Sequence, residues 1–195
     1  MVKPVAKPMS VAEYLSSEQA SPVRREYVGG QVYAMAGGSS RHNRIAGNIH
    51  ALCWQLAQDR PCRVYLEGMK LRVGREGSYD TEQAFYYPDV MVVCDKSLPD
   101  EYYETEPCIL VEVLSPSSAS VDLREKYLEY TRLPSLRTYL VVDSDTLFVR
   151  HWHRDEAGHW NHQDLTGDGN IPLPCLGGQI TLPQIYRGVF EQGSP

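Results

Sequence analysis

Two near-continuous apolar runs constrain this chain more than any other feature: "DVMVVC" from Asp89 and "CILVEVL" from Cys108. Such runs read as central strands covered on both faces, because a strand open to water on one side alternates apolar and polar residues. Cover on both faces calls for helices, and two stretches supply them. From Ser39 or Ser40 to Asp59, the residues Ile45, Ile49, Leu52, Cys53 and Leu56 recur at the spacing of one buried helical face. A second helix is expected over 119–132, stopping before Pro134. Further strands are expected at "CRVYLEGMKLRV", "LRTYLVVDS" and "TLFVRHWHR", with "GHWNHQDL" as a hairpin partner. Near the start, Ser10 and Glu13 make a capping-box pattern, and "REYVGGQVYAM" alternates around Gly29-Gly30 as a hairpin does. The expected class is α/β, a mixed central β-sheet flanked by helices, with N-terminal and C-terminal β-hairpins. Residues 1–9 are expected to form a disordered lead, and residues 10–195 a single domain, since no repeat or linker interrupts them.

A chain of 195 residues can bury a core without disulfides or oligomerisation. The five cysteines are an odd number with no C-x-x-C pair, which reads as reduced thiols in a cytoplasmic protein. No export leader or membrane-length apolar run is visible. The net charge of −6 excludes a polybasic tail but leaves room for a local basic groove. Arg24, Arg25, Arg41, Arg44, Lys70 and Arg72 are the candidates to line one. The P-loop, nucleophile-elbow and H-E-x-x-H patterns are absent, which counts against nucleotide hydrolysis, serine hydrolysis and zinc proteolysis. In "HWHRDEAGHWNH", His151 and His153 share a strand face and could clip a transition metal with His159 or His162, although no closed ligand spacing supports it.

The chemistry concentrates in the two apolar runs. Asp89 opens one and Glu112 sits within the other, sharing its face with Leu110 and Leu114. Two carboxylates on paired strands repel unless a proton or a cation neutralises them, and an all-oxygen set suits a hard divalent ion such as Mg²⁺. The same residues also fit a structural reading, in which Asp89 caps a strand end and Glu112 pairs with an arginine or lysine.

The order "YPDVMVV … ILVEVLSPSSASVDLREKYLEY" closely resembles the Uma family of restriction-endonuclease-like proteins, within the PD-(D/E)xK nuclease superfamily. "REYVGGQVYAM", "SSRHNRIAGNI", "RTYLVVD" and "LPQIYRGVF" resemble further family segments, so the match spans most of the chain. The resemblance implies a restriction-endonuclease-like fold and Mg²⁺-dependent hydrolysis of DNA, with Mn²⁺ as a substitute and a homodimer as the working unit. It implies that Asp89 and Glu112 are metal ligands, joined by Glu26 and the Val113 backbone carbonyl. Leu114 stands where the superfamily keeps its lysine, and the family pattern points to Lys126 on the following helix as the replacement cation. Locally, Lys126 could instead form an exposed helix pair with Asp122. His42 and Ser115 are the candidates for substrate contact, against plainer roles as a packed helix histidine and a turn residue. The departure at Leu114 keeps open an alternative, a catalytically silent DNA-binding or protein-interaction module on the nuclease scaffold.

Overall fold

The apolar runs become the middle of a six-stranded sheet. A computed structural model describes residues 8–74, 78–95, 100–114 and 122–190. Its elements are α1 (Val11–Gln19), β1 (Arg25–Val28), β2 (Gln31–Ala34), α2 (Ser40–Ala57), β3 (Arg63–Leu66), β4 (Lys70–Val73), β5 (Ala84–Tyr86), β6 (Val90–Val93) and β7 (Tyr103–Glu104). They continue with β8 (Ile109–Leu114), α3 (Asp122–Tyr130), β9 (Thr138–Asp143), β10 (Phe148–Arg154), β11 (Trp160–Thr166), β12 (Asn170–Leu173), β13 (Gly178–Thr181) and α4 (Leu182–Ile185).

The six-stranded sheet runs β11-β10-β9-β8-β6-β3 and is mixed, because β8 and β9 pair in parallel across the α3 connection while their neighbours are antiparallel. Its two faces follow the strand alternation. Val90, Val92, Ile109, Val111 and Val113 face Ile45, Ile49 and Cys53 of α2. Met91, Val93 and Leu110 face the opposite way, onto Tyr86, Tyr130 and Tyr139. Each fully buried aliphatic side chain contributes about 1.5–3 kcal/mol, so these two layers carry most of the folding drive. A second sheet, β2-β1-β5-β4-β7, extends the predicted N-terminal hairpin. Ser39 caps α2 by accepting from the His42 N–H, and Ser10 and Glu13 close the expected capping box on α1.

Three expectations are corrected. The run "CRVYLEGMKLRV" is two strands, β3 in one sheet and β4 in the other. They part at Glu67, whose left-handed φ of 50° turns the chain while its N–H donates to the Asp89 carbonyl at 3.0 Å. Met9 is not part of a loose lead. Its N–H donates to the Gly30 carbonyl at 2.9 Å and its own carbonyl accepts from the Tyr27 hydroxyl; residues 1–7 lie outside the described residues. Nor are all five cysteines free thiols, since Cys62 and Cys94 form a disulfide with a Cα–Cα distance of 4.1 Å. Arg63 stands opposite Val93 in the β3–β6 ladder, so the next pair outward is Cys62 and Cys94. Counting cysteines along the sequence cannot reveal such cross-strand neighbours.

His151 and His153 do share a face, with ring centroids 5.1 Å apart. His162 stacks on Trp152 and His159 is exposed, and no candidate metal set among the described residues includes any of the four. No described helix is long and apolar enough to cross a membrane.

Candidate functional site

After β5, Tyr87 and Pro88 carry the chain from one sheet to the other, and Asp89 stands where it arrives. Val90 lies opposite Val111 in the β6–β8 ladder, which makes Asp89 and Glu112 the next cross-strand pair. The ladder gives way there to side-chain bonding. Asp89 Oδ2 accepts from the Val113 N–H at 2.6 Å and lies 3.2 Å from His42 Nε2. Val113 thus meets Asp89 through its N–H.

Glu112 points to the opposite face, toward α3. Its Oε1 accepts from the Tyr130 hydroxyl at 2.8 Å and its Oε2 from Lys126 Nζ at 3.3 Å. Lys126 and Tyr130 are four residues apart on α3 and so project from one side of it. The same ammonium lies 2.9 Å from Glu26 Oε1 on β1, and Glu26 also accepts from the Tyr87 N–H at 3.3 Å. Lys126 is only 5% exposed, so it is not the solvated charge of an exposed helix pair; the side chain of Asp122 lies outside the described residues. Glu26, Asp89, Glu112 and Lys126 therefore converge from two sheets and a helix.

Two nearly buried carboxylates, Glu26 and Glu112, lie against the Lys126 ammonium and a third, Asp89, against His42, and burial of unmatched charge is costly. Burial accordingly pushes Glu112 up to about 8; Lys126 opposes the rise, Asp89 and Glu26 add to it, and the Tyr130 hydrogen bond opposes it. With Glu112 protonated, Glu26 remains beside the Lys126 charge. His42 is raised chiefly by its hydrogen bond to Asp89, against the opposing effect of burial.

Two participants escaped the sequence reading. Glu67 brings its carboxylate to Asp89 and His42, and one donor atom from each of the three lies within 4.8 Å of the others. Its signal was the Glu-Gly step interrupting a long strand pattern. Tyr130, one helical turn beyond Lys126, was legible from that spacing alone. Ser115 lies outside the described residues.

The six basic residues do not gather into one groove. Arg25 pairs with Glu18 at 2.9 Å, Arg41 with Asp145 at 3.2 Å, and Arg72 donates to Gln83. Lys70 lies over the Tyr87 and Tyr102 rings, and Arg44 beside Gly188. Arg24 reaches the acidic cluster, 3.6 Å from Glu67.

The comparisons with known proteins agree with this architecture. A crystal structure described as "a putative nuclease belonging to DUF820" from Anabaena variabilis superposes with a TM-score of 0.72 at 16% identity, covering 92% of this chain and 98% of that one. That likeness establishes the fold. Two proteins of Synechocystis are similar along nearly their whole length. One, "Uncharacterized protein slr1290", is 30% identical over 182 residues, with 93% of each chain covered. The other, "Uncharacterized protein sll1609", is 30% identical over 171 residues, covering 86% of this chain and 93% of its own. Residues 11–184 match the model of the family described as "Uma2: Putative restriction endonuclease". With the match extending from the start of α1 into α4, the chain belongs to the Uma2 family.

Proposed function

We propose that the protein is a divalent-metal-dependent DNA endonuclease that hydrolyses phosphodiester bonds at the cluster of Glu26, Asp89, Glu112 and Lys126. The observation that carries this reading is Lys126, whose ammonium lies 2.9 Å from Glu26 and 3.3 Å from Glu112. A cation is thus available beside the strand carboxylates although Leu114 cannot supply one.

The donor chemistry fits a hard ion. Carboxylate oxygens dominate the site, and the neutralisation they need is what a divalent cation provides. Asp89 and Glu112 would hold Mg²⁺, with Glu26 and the Val113 carbonyl as further ligands in the proposed shell. On the α2 side of Asp89, Glu67 and His42 form with it a second donor set that also suits Mn²⁺. When bound, the ion supplies Lewis-acid polarisation of a phosphate oxygen and lowers the pKa of a coordinated water. Tyr130 keeps Glu112 oriented. Lys126 hydrogen-bonds a phosphate oxygen or the attacking water and offsets the charge that develops on phosphorus. His42, held by Asp89, contacts the substrate. Cutting both strands of a duplex takes two such sites, so a homodimer is the proposed working unit.

A second reading has its own observation. Lys126 neutralises Glu26 and Glu112 without any metal, as a structural ion pair would, and that arrangement suits a non-cutting DNA-binding or protein-interaction module. One experiment separates the two. Supercoiled plasmid and linear duplexes of varied sequence are incubated with Mg²⁺ or Mn²⁺ and either the parent or Glu112→Ala. Nicking or linearisation by the parent alone supports the nuclease. Binding without cutting, or equal cutting by both proteins, defeats it.

A further inference from the structure

The five cysteines, scattered in sequence, meet in one region of the core beneath α2. Cys53 comes from α2, Cys62 precedes β3, Cys94 follows β6, Cys108 precedes β8, and Cys175 lies in the short turn Pro174–Leu176. The Sγ atoms of Cys94, Cys108 and Cys175 all lie within 4.8 Å of one another, and those of Cys94 and Cys108 are 3.4 Å apart. Cys62 brings a fourth sulfur beside this group through its bond to Cys94. We propose that Cys62, Cys94, Cys108 and Cys175 form a soft-metal site that takes Zn²⁺ as a tetrathiolate once the Cys62–Cys94 bond is reduced.

The geometry suits that ion. Zinc–thiolate bonds of about 2.3 Å in a tetrahedron set sulfur–sulfur edges of roughly 3.8 Å. The 3.4 Å between Cys94 and Cys108 and the 4.8 Å limit that also holds Cys175 bracket that value, and once its bond to Cys94 opens, Cys62 is the neighbouring thiol that would supply the fourth corner. The surroundings suit a structural site. Cys108 is buried and Cys175 half-buried, and apolar residues of the α2-facing layer enclose them, as closed zinc sites require. Partners for a thiolate are present as well. The hydrogen bond between Cys108 and Cys175 holds the Cys175 thiol below its usual range, helped by the backbone N–H groups of Cys175 and Leu176 and by Arg60, and pushes the Cys108 thiol well above its own, so Cys175 is the first of the two to ionise. Amide-to-sulfur hydrogen bonds of this kind orient and stabilise metal-bound thiolates. Cys53 differs, since burial pushes it up to about 12 and it remains a packed core thiol.

The chemistry balances. A dithiol reductant gives two electrons and two protons to the Cys62–Cys94 bond and becomes a disulfide itself. Binding of Zn²⁺ then displaces four protons from the four thiols. The two forms exclude each other, so the site reports the thiol redox state of its surroundings. It stands apart from the acidic cluster and does not depend on a nuclease activity.

The test uses Co²⁺ as a spectroscopic probe on the phosphine-reduced full chain. One equivalent is expected to bind with thiolate-to-cobalt charge transfer and tetrahedral visible bands, both abolished by one equivalent of Zn²⁺. Cys108→Ser and Cys175→Ser should each lose these bands, while Cys53→Ser and Asp89→Ala keep them. Alkylation footprinting of the parent needs no variant to fold: Zn²⁺ should protect Cys62, Cys94, Cys108 and Cys175 together. A reduced protein without thiolate bands, bands that survive both serine variants, or no joint protection would each overturn the proposal. So would a Cys62–Cys94 bond that phosphine does not open.

Discussion

Strands β6 and β8 carry opposite chemistries at their two ends. Asp89 and Glu112 form the cross-strand pair at one end, and Cys94 and Cys108 flank the other, roughly 16 Å away by strand rise. The ladder is common to both, so what differs is the neighbourhood each end meets. The carboxylates meet His42, Lys126 and Tyr130, groups that donate protons or positive charge. The cysteines meet the apolar layer under α2 and the Pro174–Leu176 turn. A buried carboxylate needs a counter-charge at once. A buried thiol stays neutral until an electron pair or a soft ion changes its state.

The largest expected effect strikes the acidic end. Lys126→Met keeps the stem and removes the charge that Glu26 and Glu112 share. Cleavage should fall by about 10²–10³-fold, the usual loss on removing a transition-state donor. Urea unfolding near neutral pH should show about 3–5 kcal/mol lost, because the buried Glu26 is left without its cation beside a protonated Glu112. Single-turnover cleavage as fast as the parent's would remove Lys126 from the chemistry and leave it a structural ion pair.

The thiol end should respond to a different agent. The Cys62–Cys94 bond spans a sequence separation of 32 residues, and a loop of that size is worth about 3–4 kcal/mol by chain entropy. Metal-free protein treated with phosphine should unfold at correspondingly lower urea, and Zn²⁺ should restore part of the difference. An unchanged urea midpoint after verified reduction would show that the link adds little to the fold.

Acidity probes the acidic end, and buried His151 on β10 gives the contrast. The folded protein keeps the Glu112 proton until about pH 8, while an unfolded chain releases it near the ordinary 4.5. Between these values the folded state binds more protons, so stability falls as pH rises, by at most about 1.4 kcal/mol per pH unit. Urea midpoints measured in a chelator from pH 5 to 8 should slope downward, and Glu112→Gln should flatten that slope. His151 works in the other direction, because burial lowers it to about 4 from 6.5. Below pH 6.5 the unfolded chain takes up a proton that the folded one refuses, so stability falls as pH drops toward 4. A parent and a Glu112→Gln variant with parallel profiles would mean that Glu112 is ionised throughout.

Much of the acidic site was legible because its chemistry is written on strands. Asp89 and Glu112 stand out as charges in apolar runs, and family resemblance pointed to Glu26 and Lys126. Glu67 was hidden because a long apolar stretch reads as one strand unless the backbone reversal within it is known. The left-handed turn at Glu67 breaks the run and delivers the carboxylate. The cysteine cluster was illegible for a different reason. Its members lie on five segments whose proximity depends on strand pairing and on where α2 packs, and neither follows from spacing along the chain. Local pattern thus found the hard-ion end, and only three-dimensional register exposed the soft one.

The smallest expected effect tests whether the acidic end is tuned by packing as well as by charge. Gly38 precedes the Ser39 cap of α2, and a Cβ built there would come 2.6 Å from His42 Nδ1 and 3.0 Å from its Cγ. Gly38→Ala must therefore tilt the imidazole, loosening its 3.2 Å contact with Asp89. That contact is the main cause of the raised His42 pKa, so an NMR titration should find His42 moved back toward 6.5. Cleavage should drop a few-fold, and stability should change by about 1 kcal/mol or less, since one solvent-adjacent hydrogen bond is weakened rather than a buried charge stranded. The cobalt bands of the thiol end should be untouched. If His42 titrates as in the parent, the ring has found another way to reach Asp89, and Gly38 is a loop residue with no hold on the site.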